Sequence, residues 1–178
     1  MLGAPASGKG TQGERLAEWL GLSHVSAGDL LRRSIEEGDP FGIEEILDRG
    51  DLVPDEITQR LLFPELGEGF VLDGYPRSLD QALDLDRHLE SVGRPLEGAV
   101  ELVVPEETLA ARVALRAREE GRADDTEEVF LHRLEEWRET AKALRRHYDD
   151  RLIQVDGTGS EDEVFDRLVK ALGDRVRT

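Results

Sequence analysis

The sequence predicts an α/β fold: a parallel sheet of the P-loop kind with helices on both faces. Two observations carry this expectation. Short β-branched or aliphatic runs alternate with longer stretches of helical period, the pattern of strands returned to one sheet by crossover helices. At the front of that alternation stands a glycine-rich segment, Gly3-Ala4-Pro5-Ala6-Ser7-Gly8-Lys9, where a strand would turn into a helix. The length of 178 residues fits one domain, residues 1–178, with a sizeable core.

The elements follow in chain order. Only Met1 and Leu2 precede Gly3, so the first strand is expected to be a stub, or the chain to be shortened at its start. In a doubly wound sheet this strand is usually central, where each buried aliphatic side chain contributes about 1.5–3 kcal/mol. A helix should open near Lys9, with Leu16, Trp19 and Leu20 on one stripe and Gly21 as its stop. His24-Val25-Ser26 and Phe70-Val71-Leu72 read as strands. Leu79, Ala82, Leu83, Asp86 and Leu89 form the next helical stripe, and Ala99 to Val104 and Leu152 to Val155 are further strands. The last helix opens on Ser160 and Glu163 at capping-box spacing and continues through Val164, Leu168 and Leu172. Ligands of such sheets bind beyond the carboxyl ends of the strands.

Composition narrows the function classes. With 23 basic and 40 acidic side chains the net charge is −17, which disfavours nucleic acid and anionic membranes as partners. A solvated acidic surface is the plain reading of that charge, and adaptation to high salt the alternative. An anionic nucleotide could bind only where Arg or Lys gather locally. Cysteine is absent, which removes disulfides and thiolate zinc sites, and no apolar run or leader pattern points to a membrane or to secretion. The expectation is a cytoplasmic monomer without zinc.

The glycine-rich segment matches G-x-x-x-x-G-K, followed by Gly10 and Thr11. Its glycines let the backbone curl so that successive N–H groups surround phosphate oxygens, while the following helix adds its positive end. Lys9, one of three lysines in the chain, would reach the terminal phosphates. Ala6 places a Cβ where such a loop can need positive φ. A GTPase is excluded by the lack of a D-x-x-G switch after the second strand and of N-K-x-D.

From here a family resemblance carries the reading. The G-x-P-x-x-G-K-G-T form resembles that of the adenylate kinases, as does His24-Val25-Ser26-Ala27-Gly28-Asp29-Leu30-Leu31-Arg32. Asp51-Leu52-Val53-Pro54-Asp55-Glu56 and Gly69-Phe70-Val71-Leu72-Asp73-Gly74-Tyr75-Pro76-Arg77 with Gln81 resemble further family segments. Arg112, Arg116, Arg122, Asp124-Asp125, Arg133 and Val155-Asp156-Gly157-Thr158 follow at matching spacings.

The resemblance implies reversible phosphoryl transfer from Mg-bound ATP to AMP, giving two ADP. It assigns Ala6, Ser7, Gly8, Lys9, Gly10, Thr11, Arg112, Arg116 and Gly159 to ATP. Ala27, Arg32, Asp51, Leu52, Val53, Gly74, Tyr75, Pro76, Arg77 and Gln81 fall to AMP, and Arg122 and Arg133 to the AMP side of the transferred group. Lys9, Arg77, Arg112, Arg122 and Arg133 are then the catalytic set, and Asp73 holds Mg²⁺ through water. Residues 26–53 would form a flap over AMP and about 117–126 a short lid over ATP, the kind of gating closure for which adenylate kinase is a standard example. Gln81 suits adenine, because an amide can pair with an amine beside a ring nitrogen. Ala27 points instead to UMP/CMP kinases, and Ala6 with the short first strand to a nucleotide-binding relative without turnover.

Overall fold

A computed structural model describes residues 1–120 and 126–176 of the chain. The order is β1 (Leu2–Gly3), α1 (Lys9–Leu20), β2 (Ser23–Ser26), α2 (Ala27–Glu36), α3 (Ile43–Asp48), α4 (Asp55–Leu62) and β3 (Phe70–Asp73). It continues through α5 (Leu79–Ser91), β4 (Ala99–Val103), α6 (Glu106–Glu120), α7 (Glu127–His147), β5 (Leu152–Asp156) and α8 (Glu161–Val176).

All the strand pairings are parallel. β4 lies between β1 and β5, and β2 pairs with β3, with Leu2 opposite Glu101 and Val25 opposite Leu72. β1 has two residues, both paired with β4. Across the gap to β3, the Met1 amine donates to the Leu72 carbonyl at 2.6 Å.

Because side chains alternate along a strand, each strand feeds two cores. Val71, Val100, Leu102 and Val155 pack with Leu16 and Ala17 of α1 and Val164 and Leu168 of α8. Val25 and Leu72 face the other way, against Leu85 and Leu89 of α5, and Leu2 and Ala99 meet Ala82 of α5 with Leu144 of α7. Helices therefore cover both faces. Glu101 is 1% exposed within β4, a burial tolerated because Arg145 forks onto its carboxylate and Gln154 donates at 2.9 Å.

Two expected stripes are rotated. On α1, Leu16 is buried while Trp19 and Leu20 are 49% and 44% exposed; Ala17, not Trp19, completes the inner face. On α5 the buried face is Ala82, Leu85 and Leu89, and Leu79 and Leu83 are exposed. Both Gly21 as a left-handed helix stop and the Ser160–Glu163 capping box form as expected.

Between β2 and β3 the chain makes α2, α3 and α4, held by a small core of Leu31, Ile43 and Val53. The Asp39 carboxylate accepts from the Ile43 and Glu44 amides, which fixes the start of α3. α6 runs to Glu120, so the first part of the expected lid is helix, and Arg116 lies on that helix. Residues 121–125, with Arg122, Asp124 and Asp125, lie outside the described residues.

Candidate active site

The cleft lies at the carboxyl ends of β1 and β3, whose last residues, Gly3 and Asp73, both line it. Gly3 needs its missing side chain: a Cβ would stand 2.7 Å from Ser7 Oγ and 3.0 Å from the Leu102 carbonyl. Gly8 takes φ 89° and serves as the N-cap of α1 without any side-chain cap, and the first turn carries no acidic residue. The amides of that turn and its dipole therefore stay available to an anion. Ala6 sits at φ 59°, a strained left-handed angle for a residue with a Cβ, so the loop keeps its curl at that position without glycine. Lys9 Nζ donates to the Ala4 carbonyl at 3.2 Å, folded back over the loop.

A cleft of about 450 Å³ opens from this loop. Gly8, Lys9, Gly10 and Thr11 line it, together with Asp73 and the three arginines Arg32, Arg77 and Arg133. Three elements supply those arginines. Arg32 is on α2, whose Ser26 cap accepts from the Asp29 amide at 3.3 Å, and it pairs with Asp29 at 2.5 Å. Arg77 follows β3, its Nε donating to the Gly74 carbonyl at 3.1 Å. Arg133 projects from α7 and donates to the Leu47 carbonyl at 3.4 Å.

Electrostatics mark the cleft as an anion site. Burial first, and then the Arg133 cation, pull the pKa of Arg77 below its ordinary value. A guanidinium so placed stays charged but gains from a bound anion more than an exposed one would. Glu136, also on α7 and in the cleft wall, has its carboxyl pushed up chiefly by burial. Asp73 is 8% exposed, and its Oδ1 is buried without a hydrogen-bond partner. Its Oδ2 lies 3.4 Å from where a Cβ on Gly10 would be, so Gly10 keeps the carboxylate close to the phosphate loop.

A second pocket of about 60 Å³ adjoins the first, sharing Arg32, Leu52, Gly74, Arg77 and Arg133 with it. Ala27, Val53, Tyr75, Asp51 and Gln81 complete its wall, and Pro76 lines the larger cleft. The sequence-predicted acceptor residues that are described therefore line these two adjoining pockets, while Arg122 lies outside the described residues. Asp51 pairs with Arg49 at 3.0 Å and His132 at 3.4 Å, and its carboxyl is held low chiefly by Arg49.

Other expected residues stand outside the cleft wall. Ser7 is 1% exposed beneath the loop. Arg112 is turned to the protein, donating to the Ser7 carbonyl at 3.1 Å and the Gly157 carbonyl at 2.8 Å, so it ties the loop to the turn after β5. Gly159 shapes the turn into α8, where a Cβ would lie 2.5 Å from Glu163 Oε2. Residues that sequence reasoning missed are Glu136, Trp137 and Thr140 in the cleft, which share a face of α7 with Arg133. Their spacing from Arg133 was the available signal. Asp55, beside Gln81, was named only within a family segment.

Comparison with known proteins agrees with this geometry. A family model described as adenylate kinase matches residues 1–153. A protein named adenylate kinase from Thermus thermophilus is 47% identical over 177 residues, covering 97% of this chain and 95% of its own. One of the same name from Mycobacterium tuberculosis is 46% identical over 180 residues, covering 97% of each, and another from Nocardia farcinica is 43% identical.

Proposed function

From the premise that the chain belongs to the adenylate kinase family, we propose how its residues divide the work of the reaction. The enzyme transfers a phosphoryl group reversibly from ATP to AMP, giving two ADP. One observation carries the assignment: the phosphate loop with Lys9 lines the same cleft as Arg32, Arg77 and Arg133.

Phosphoryl transfer needs positioning and positive charge more than covalent chemistry. The loop from Ala6 to Thr11 holds the ATP phosphates through backbone N–H groups, and Lys9 swings from the Ala4 carbonyl to the terminal ones. Arg32 and Arg77 grip the AMP phosphate, for which a planar guanidinium fork is suited. Arg133 meets the transferring group from α7, joined by Arg122 from the lid. Arg112 acts from beneath, holding the loop in shape, while Arg116 and Gly159 complete the ATP side. The Asp51-Leu52-Val53 segment, Ala27, Tyr75 and Gln81 enclose the AMP base.

Mg²⁺ fits this donor set. Among the described residues no group of three or more His, Asp or Glu could ligate a metal directly, so the nucleotide phosphates would supply most ligands. Asp73, with a buried oxygen lacking a partner, would hold the ion through water. When bound, Mg²⁺ neutralises phosphate charge and orients the transferred group. Residues 26–53 are the flap over AMP and about 117–126 the lid, within residues 1–178 as one kinase domain. A cytoplasmic monomer is part of the same reading: a net charge of −17 opposes self-association, and no helix among the described residues is long and apolar enough to cross a membrane.

The test is ADP formation from ATP and Mg²⁺ with AMP, CMP, UMP or GMP as acceptor. Turnover with AMP far above the others supports the assignment of the base pocket. Preference for UMP or CMP would show that Ala27, rather than Gln81, sets the acceptor.

A further inference from the structure

The Gln81 amide is held more firmly than base contact alone would need. The residue is 3% exposed. Its Oε1 accepts from the Arg77 backbone N–H at 2.7 Å, and its Nε2 donates to Asp55 Oδ1 at 2.6 Å. A backbone N–H can only donate and a carboxylate only accept, so the two bonds settle which end of the amide is which. Turned over, the amide would set N–H against N–H at Arg77 and oxygen against oxygen at Asp55.

Resting on the reading of Gln81 as the group that faces the acceptor's base, we infer that Asp55 is a specificity-determining positioning residue. Together with the Arg77 backbone N–H it locks the Gln81 amide in one orientation, so that a 6-amino purine monophosphate is accepted and its 6-oxo counterpart refused. After its two protein bonds, the amide keeps one N–H on Nε2 and one lone pair on Oε1. Adenine answers that pair with a ring-nitrogen acceptor beside an amine donor. Hypoxanthine offers the inverse, a ring N–H beside a carbonyl oxygen. A freely turning glutamine would serve either base by flipping, and a locked one serves adenine alone. Unmatched polar groups in a closed site are what make such discrimination large.

The placement of Asp55 adds a second consequence. It is the first residue of α4, two positions after Val53 ends the flap segment, while Gln81 sits on α5. The lock therefore joins the flap's exit to the base pocket.

The experiment compares kcat/KM for AMP and IMP in the wild type, Asp55→Asn and Gln81→Ala. Asparagine keeps the shape of Asp55 but can donate as well as accept, which removes the Asp55 half of the lock and leaves the Arg77 N–H alone to orient the Gln81 amide. The AMP-over-IMP ratio is expected to fall about tenfold or more in D55N, the loss of one hydrogen bond to a charged group. It should fall at least as far in Q81A. A ratio lost in Q81A but kept in D55N, even with KM raised equally for both acceptors, would overturn the lock alone. A ratio kept in both variants would show that Gln81 does not face the base, and the reading beneath the lock would fall with it. A measurement on the wild type does not depend on how the variants fold: of the two Gln81 side-chain amide protons, the one donated to Asp55 should be protected from water exchange. Rapid exchange of both protons would refute the lock.

Discussion

Arg77 carries its charge where the protein itself provides little to answer it. Burial and the neighbouring Arg133 both oppose its cation, with Asp73 and Glu136 the nearby carboxylates that favour it. A cation in such a place contributes little to folding and much to holding an anion, because low dielectric strengthens the one attraction still unmet. Function and stability should therefore separate at this residue. Arg77→Ala is expected to lower kcat/KM with AMP by about three orders of magnitude, the scale of a lost phosphoryl-clamping arginine. The thermal midpoint should stay level or rise, since a buried cation has been removed. Steady-state kinetics and calorimetry on the same preparation check both halves, and a variant unfolded at ordinary temperature would refute the assigned role.

At the scale of elements, α8 shows how much a helix start can be read in advance. Ser160 Oγ accepts from the Glu163 amide and Glu163 Oε2 from the Ser160 amide, at 3.3 and 2.8 Å. The Ser160 N–H, and after it the hydroxyl, hold the Glu163 carboxyl below its ordinary value. Ser160→Ala should cost about 1 kcal/mol at neutral pH, the usual loss of an N-cap hydroxyl, read as a lower urea midpoint. The sign with pH follows from the depressed carboxyl: its contribution is present above the ordinary carboxylate range and is lost as pH falls through the folded-state value. Part of that dependence should survive in the variant, because the backbone donor remains. The strands are equally legible, since a sheet covered on both faces leaves nearly continuous apolar runs such as Phe70-Val71-Leu72. The rotated stripes on α1 and α5 are not. Several stripes satisfy a period of 3.6 residues, and only the position of the sheet chooses Ala17 over Trp19 and Leu85 over Leu83. The same holds for the site. The phosphate loop announces itself by local backbone needs, whereas Glu136, Trp137 and Thr140 become cleft residues only once α7 is laid across the sheet.

For the whole molecule, one charge distribution is asked to do two opposite things. A net charge of −17 repels itself in the folded state and repels an incoming nucleotide, while Lys9, Arg32, Arg77 and Arg133 attract it locally. Salt screens both, because the Debye length falls from roughly 10 Å at 0.1 M to roughly 3 Å at 1 M. Self-repulsion of exposed carboxylates is a sum over long distances and is removed first. The ion pairs that would suffer in compensation are mostly exposed, such as Arg138 with Glu106 and Arg49 with Glu45, and such pairs contribute little in any case. Molar salt should therefore raise the thermal midpoint. The nucleotide loses long-range repulsion but also part of its attraction to the arginine cluster, and the cluster is closer to the phosphates than the surface acids are. KM for ATP and AMP is accordingly expected to rise over the same range in which the protein becomes harder to melt. Calorimetry and initial rates across a sodium chloride series would show the two trends crossing. A midpoint that stays flat would mean that the acidic surface is already neutral in effect, its carboxylates too far apart to repel through water, and high-salt adaptation would lose its physical basis.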